Sequence, residues 1–443
     1  MVFHAKLVPA LAVMLMPGCA GFMSMVTSLP KPAVPPADVR QAPPVFKKDF
    51  TLPMQMPEES IKNVVEVLRS GRLNRYAALT GASHVAKVEE ELAKFTGVDY
   101  ALGVNSCSSA ILIALLSVGV QAGDEVLSNA FTFTAVPSAI LRVGAKPVLV
   151  ECTESWGMDL DDLENKVATS KAKVLLLSHM RSKLCDMDRV YEICDKHGIT
   201  VVEDCAHAIG VKWRGEQVGN RAKVAAYSCQ SDKLINSGEG GFLTTNDVEI
   251  MSKAIYMSGC YENRYAKHTL RGSDEMMEKA MLSEKNLSVR MTEMVAGVIR
   301  PLLANLPERI EEFSRRYDQI VEVLEREVPD LIDIPKPLEH ASVVGDHLNF
   351  HLTDATEEEN LAFQAKTKEM GVPLNYLRGP VNARYHKNWR GYGGPVQDLP
   401  RTDAALGNAF DLKLPPHFDD EDFVHIAKNI AYAARQTVRT GGQ

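Results

Sequence analysis

The residues best placed to do chemistry are a lysine and an acid set at the ends of apolar runs. Lys233 closes the stretch Tyr227-Ser228-Cys229-Gln230-Ser231-Asp232-Lys233, and the turn Gly238-Glu239-Gly240-Gly241 follows it. The runs on either side, 224–227 and 242–245, read as strands, which puts Lys233 on a loop at a strand end. Open α/β sheets hold their ligands there. A lysine taken alone is more often a solvated surface residue, so the reading rests on its neighbours. Upstream, the apolar run 199–202 ends in Glu203 and Asp204, with His207 three residues beyond the aspartate. On a period-two strand the two acids point to opposite faces, which makes Asp204 the functional candidate and Glu203 a structural one.

An acid at one strand end and a lysine at a later one form the pair that pyridoxal phosphate chemistry requires. The lysine holds the aldehyde as a Schiff base, and the acid pairs with the protonated pyridine nitrogen so that the ring can accept electrons. His207 reads either as a further contact of that ring or as a satisfied core histidine. The small, hydroxyl-rich turn Asn105-Ser106-Cys107-Ser108-Ser109 opens the apolar helix 110–118. Such a helix N-terminus offers unpaired N–H groups to a phosphate, although an ordinary N-cap explains the serines equally well.

The elements that must position these groups follow from periodicity. Helical spacing of apolar residues appears over 58–70, 85–95, 187–197, 307–325, 357–370 and 420–435, and short apolar strands over 100–104, 124–127, 147–150, 173–177 and 348–352. The alternation of short strands and helices predicts a mostly parallel sheet with right-handed crossovers.

At the lysine and aspartate motifs the chain resembles the DegT/StrS-like sugar aminotransferases, a branch of the fold-type-I pyridoxal phosphate enzymes. Their pattern runs Glu-Asp-Ala-Ala-His/Gln-Ala, then Phe-Ser-Phe-x-x-x-Lys, then Gly-Glu-Gly-Gly, and the resemblance extends from about Pro53 to Arg435. It implies an α/β fold-type-I architecture: a large domain with a mostly parallel mixed sheet flanked by helices, over 49–305, and a smaller α+β C-terminal domain over 306–443. It also implies pyridoxal 5'-phosphate as cofactor and Lys233 as the catalytic residue. The implied cofactor contacts are Asp204 at the pyridine nitrogen, His207 at the ring hydroxyl, Phe133 stacked on the ring, and Ser228, Cys107 and Ser108 about the phosphate. The implied reaction moves an amino group from an amino acid, glutamate or glutamine, to a keto-sugar carried on a nucleotide, in a ping-pong sequence. A homodimer with shared active sites is part of the same expectation, because in relatives an asparagine crosses to the partner's cofactor phosphate. Ser288 stands at that place here.

Other departures from the pattern are Cys107 and Ser182, each where relatives carry a glycine, and His179 is read as a structural loop residue. The segment 71–76 reads as a loop near the substrate or as a plain loop. The basic stretch 376–395, with Arg378, Arg384, Lys387 and Arg390, reads equally as a solvated loop or as an anion-recognition site. A sugar dehydratase using the same cofactor and a non-catalytic homologue are the alternative functions. A nucleotide-dependent dehydrogenase or phosphotransferase is disfavoured, because neither Gly-x-Gly-x-x-Gly after a strand nor a Walker-type loop is present.

Composition bounds the rest. The 443 residues, 45% apolar and 24% charged, can bury a sizeable core, and the net charge of -8 leaves no basic footprint for nucleic acid. The eight cysteines follow no zinc-ligand spacing, so no metal site is expected and buried free thiols are. Residues 1–48 read as a leader and disordered linker, with an apolar run at 7–16 of signal-peptide length but too short for a membrane span. That leader suggests a secretory or plastid route, with a simple unstructured extension of a cytoplasmic protein as the alternative.

Overall fold

The computed structural model describes residues 41–79, 81–392 and 397–439. The expected leader therefore lies outside the described residues up to position 40. Its last part, from Pro43, belongs to the compact unit that holds the rest of the chain. Phe46 is buried against Phe418, with its N–H bonded to Met370 O at 2.9 Å.

Seven strands form the main sheet: β1 (Tyr100–Val104), β2 (Glu125–Asn129), β3 (Lys146–Val150), β4 (Val174–Ser178), β5 (Thr200–Asp204), β8 (Val224–Ser228) and β9 (Gly241–Thr245). A short ribbon, β6 (Lys212–Trp213) with β7 (Glu216–Gln217), interrupts the series between β5 and β8. The order across the sheet is β1-β9-β8-β5-β4-β2-β3, and β9 alone runs against its neighbours. Both faces are apolar: Val174, Leu176 and Val202 pack in one cluster, while Leu175, Leu177 and Val201 pack in another on the opposite side. That is why these strands read as continuous hydrophobic runs.

The helices that cover the faces are α1 (Glu58–Ser70), α2 (His84–Thr96), α3 (Cys107–Ser117), α4 (Ala135–Arg142), α5 (Leu160–Thr169), α6 (Met187–His197), α7 (Val248–Gly259), α8 (Asp274–Ser283) and α9 (Glu293–Ala304). The long α10 (Leu306–Glu327) leads to a second sheet of β10 (Ile332–Asp333), β11 (His347–Leu352), β12 (Asn375–Tyr376) and β13 (Ala409–Lys413), ordered β10-β11-β13-β12 and antiparallel throughout. With it go α11 (Glu357–Glu369), α12 (Pro400–Gly407) and α13 (Asp420–Thr437). No helix among the described residues is long and apolar enough to cross a membrane.

The connections fix where a crevice opens. The chain leaves β2 for β3 on one side and returns to β4 on the other, so the loops after β2 and β4 diverge at the carboxyl ends of those strands. Such a switch point is where doubly wound sheets bind ligands.

The loop before α2 has a structural task. Arg75 donates to both oxygens of Glu89, at 2.7 and 2.9 Å, and Glu89 also accepts the Gly103 N–H of β1 at 2.8 Å. Both charged side chains are almost fully buried. Removing one partner strands the other charge away from water, so Glu89→Ala should lower the unfolding free energy by about 3–5 kcal/mol in a denaturant titration. Replacing both residues by leucine should recover much of that loss. A single Glu89→Ala variant as stable as the parent would show the pair to be idle.

Candidate active site

Strand register brings the site together before any side chain is considered. Asp204 at the end of β5 pairs with Ser178 at the end of β4 and with Ala226 of β8, and Ser228 at the end of β8 pairs with Gly241. Gly241 pairs in turn with Val104, the last residue of β1. The ends of five strands thus lie along one edge, beneath the N-terminus of α3.

Asp204 is buried, and its two oxygens are held separately. Oδ2 accepts from Ser178 Oγ at 2.8 Å, and Ser178 Oγ accepts from Thr132 Oγ1 at 2.8 Å. Oδ1 accepts from Ala206 N at 3.0 Å, with Cys107 Sγ 3.9 Å away. The neighbouring Glu203 points to the other face and accepts from Tyr191 Oη at 2.5 Å; its second oxygen lies 2.7 Å from His179 Nε2. Burial resists ionisation of Glu203, yet His179 and Tyr191 keep its pKa below the ordinary value. His179 and Glu203 are therefore a packed structural pair. With Cys205 they also form a cluster of metal-binding residue types.

Lys233 Nζ lies 2.7 Å from His207 Nε2. Burial first, and then the charge of Arg181, push the lysine down to about 8, against the pull of Asp204. Burial and the same lysine push His207 well below its ordinary range, so the imidazole is neutral and accepts from the ammonium. Its Nδ1 is buried without a partner.

Around the α3 N-terminus, Ser106 caps the helix through Ser109 N at 3.2 Å. The first-turn N–H groups of Cys107 and Ser108 have no intrahelical acceptor. Cys107 is absent from the positive-φ residues, so the cysteine enters the helix without the conformation that favours glycine, and its thiol turns inward to Asp204. Ser108 is exposed on the same turn. A Cβ on Gly241 would come within 2.4 Å of Cys107 N, so the glycine-rich turn closes on this helix end only because the side chain is missing. Ser228 is buried, with its Oγ accepting from Gln230 N at 3.3 Å.

Phe133 follows β2 at the switch point and is 44% exposed, a large apolar face open at the mouth of the crevice. Ser288 makes none of these contacts. It is exposed, in the left-handed region, with its Oγ accepting from Arg290 Nη2 at 2.8 Å.

Several residues at the site escaped the sequence reading. Arg181, in the loop after β4, reaches His347 Nε2 at 2.5 Å and Asp411 Oδ2 at 2.7 Å. Arg181 and Ser182 both have left-handed backbones, with φ of 56° and 62°. The second is the position where related sequences carry glycine. Ser182 Oγ donates to the His207 carbonyl, which ties the turn to the site. The His347 ring stands edge-on to His207 at 5.8 Å between centroids. Asp346 lies 3.0 Å from His347 Nδ1 but off the hydrogen-bond direction. The departure at Ser182 was the one sequence signal pointing to this turn. Nothing in the spacing pointed to His347 or Asp411.

The mostly parallel sheet, the crevice and the half-buried lysine–histidine pair are those of a fold-type-I aminotransferase. A model of the DegT/DnrJ/EryC1/StrS aminotransferase family matches residues 54–431, and the chain belongs to that family. It is 30% identical over 349 residues to the GDP-perosamine synthase of Escherichia coli O157:H7, covering 79% of this chain and 89% of that one. The crystal structure of 3-amino-5-hydroxybenzoic acid synthase superposes with a TM-score of 0.74 at 25% identity, covering 89% of this chain and all of that one. The PLP form of a Streptococcus pneumoniae protein described as a sugar aminotransferase superposes at 0.71 with 21% identity, covering 87% and 98% of the two chains. The enzyme is a pyridoxal phosphate-dependent aminotransferase. The residues present fit that cofactor: a buried acid at a strand end, an amine on one nitrogen of an imidazole whose other nitrogen is orphaned, and a helix end approached by a glycine that no side chain could replace.

The depressed lysine gives a pH signature in the cofactor-free protein. The unfolded chain keeps the ordinary value of 10.5, so the folded protein binds fewer protons between about pH 8 and 10.5, and its stability rises with pH across that window. Relative to Lys233→Met, the parent should gain on the order of 3 kcal/mol over that rise. Stability curves that stay parallel from neutral to alkaline pH would contradict the burial of this charge.

Proposed function

We propose that the enzyme transfers an amino group from an amino-acid donor, glutamate or glutamine by family analogy, to the keto group of a nucleotide-linked sugar. The observation that carries this reading is the juxtaposition of Lys233 with His207 beside the separately anchored carboxylate of Asp204. Bound pyridoxal phosphate supplies a reactive aldehyde and a ring that accepts electrons. Lys233 is the residue that holds the aldehyde, and its Nζ, once free, takes the proton from the donor's α carbon. A lysine held near 8 has a sizeable neutral fraction at mild alkaline pH, which suits an amine that must act both as nucleophile and as base.

Asp204 would hold the pyridine nitrogen, and the Thr132–Ser178 hydroxyl chain keeps its carboxylate oriented. His207 would serve the ring hydroxyl. Phe133 provides the stacking face. Ser228 and the α3 N-terminus, with Cys107 and Ser108, receive the phosphate, where backbone N–H groups and the helix dipole favour an anion. The reaction runs as two half-reactions that share Lys233 as proton carrier.

We assign the change from the large to the small domain to 305–306, between the end of α9 and the start of α10. We further assign a homodimer, in which the exposed apolar side chains of Ile61 and Leu68 on α1, with Leu73 and Leu79 beyond it, would be covered by a second copy. Ser288 faces that partner in this reading.

Incubation of the cofactor-loaded protein with glutamate or glutamine and a panel of nucleotide keto-sugars, read by mass, should yield an amino-sugar. Borohydride should fix the cofactor to the parent protein and leave Lys233→Ala unlabelled. Products that have lost water without gaining nitrogen would replace transamination by dehydration, and equal labelling of Lys233→Ala would remove the lysine from its role.

A further inference from the structure

A second lysine stands apart from the reaction site with no acceptor at its ammonium. Lys183, in the loop after β4, has the Trp156 ring centroid 5.4 Å from its Nζ and, among the described residues, no side-chain hydrogen bond or ion pair. Burial pushes it down to about 8 against the more distant pull of Asp411 and Asp346. Lys233 answers to Arg181, Asp204, Cys107 and Asp346, so the two lysines share only Asp346. Lys183 lines an enclosed cavity between the 181–184 turn, α10 and the 335–347 segment. About 40 Å³ of it is open to the centre of a water molecule, which is room for a few waters or one small ion. Among the charged residues of its lining, Arg181 is already paired with Asp411, and Lys336 is exposed. That leaves the ammonium groups of Lys183 and Lys336 against the one carboxylate of Asp346.

An ammonium drawn out of water without an acceptor is costly, and an aromatic face offsets only part of that cost. A lysine is a compact point charge with three donors, which suits a tetrahedral oxyanion. Ser342 also lines the cavity; its Oγ accepts from Lys212 N at 2.7 Å and keeps its own proton to donate. We propose that this cavity is a second ligand site, in which Lys183 and the Ser342 hydroxyl receive a small oxyanion the size of phosphate.

Other occupants fit less well. A metal cation would meet two ammonium groups, and a nucleotide-linked sugar is far larger than the space. The backbone around the cavity is strained on two sides: Arg181 and Ser182 are left-handed, and Trp156, which follows the lining residue Ser155, has φ of 65°. Strain of this kind collects at ligand clamps. Ser182 Oγ donates to the His207 carbonyl, so an ion held behind the turn would steady the wall that the cavity shares with the reaction site. The assignment does not depend on the reaction proposed for Lys233.

Inorganic phosphate is the probe, titrated calorimetrically in chloride-matched buffer into cofactor-loaded protein freed of excess cofactor, so that the cradle at Ser228 and the α3 N-terminus is already filled. The parent should show saturable binding, and phosphate should raise its unfolding temperature. Lys183→Gln should weaken phosphate by about tenfold or more, as loss of a charged hydrogen-bonding partner does, and should lose the thermal shift, while Lys183→Arg keeps most of both. No saturable binding by the parent, or equal binding by the glutamine variant, overturns the assignment. Loss of binding in Arg384→Gln, whose arginine acts on His207, with Lys183→Gln unaffected would put the ion in the reaction crevice and overturn it as well. If Lys183→Gln does not fold, the parent alone decides. Phosphate should then protect Lys183 from acetic anhydride, read by peptide mass, and equal acetylation in phosphate and in chloride refutes the site.

Discussion

The site depends on a carboxylate held at one level of the sheet. Asp204 can stand beneath α3 only because β4, β5 and β8 are parallel and in a register that puts Ser178, Asp204 and Ala226 side by side. A slip of one residue in β5 would exchange Asp204 with Glu203 and turn the Asp204 carboxylate toward α6. The two faces guard against that slip differently. On one side Glu203 is locked by His179 and Tyr191, and on the other Asp204 is locked by Ser178 and the Ala206 N–H. The adjacent acids thus act as opposed pins that fix the strand's facing.

Around this anchor cations and carboxylates are crowded together. Arg181 acts on both Lys233 and Arg384, Asp411 is paired with Arg181 and Asp232 with Lys413, and the buried Asp346 faces Arg181 and Lys233. Burial, and then the charge of Arg181, lower the lysine's proton affinity there. The strained turn at Arg181 and Ser182 is part of this arrangement. Two consecutive left-handed residues are an unfavourable local choice, and such strain persists where the surroundings over-determine it. Here a buried ion pair to Asp411 and the bond from Ser182 to the His207 carbonyl supply that constraint.

Much of this was legible in the sequence, for physical reasons. The strands of the main sheet are covered on both faces, so each is a short unbroken apolar run and could be placed within a residue or two. Asp204 could be placed because it ends β5, and Lys233 because its loop leaves the end of the neighbouring β8. Residues such as His347, Asp411 and Arg384 could not be read in this way. They come from the second sheet and its loops, and their approach to Lys233 depends on how that sheet seats against the first. Helices α4 and α9 were also obscured, because Pro137 and Pro301 interrupt patterns that tertiary packing nonetheless keeps helical. The basic stretch around Arg384 reads as polar, yet Tyr385, His386 and Trp389 within it are buried. Its composition concealed a packed segment.

The anchoring of Phe46 sets a boundary for the chain's front end. Its ring is wedged against Phe50, Phe418 and His425, the Pro44 carbonyl accepts from His425 and Asn429, and Lys48 reaches Asp419 and Asp422 at the start of α13. Proteolytic trimming that stops short of Pro43 spares these contacts. A cut a few residues further would unstitch the final helix from its neighbours, so shortened versions for crystallisation or expression should begin before that proline.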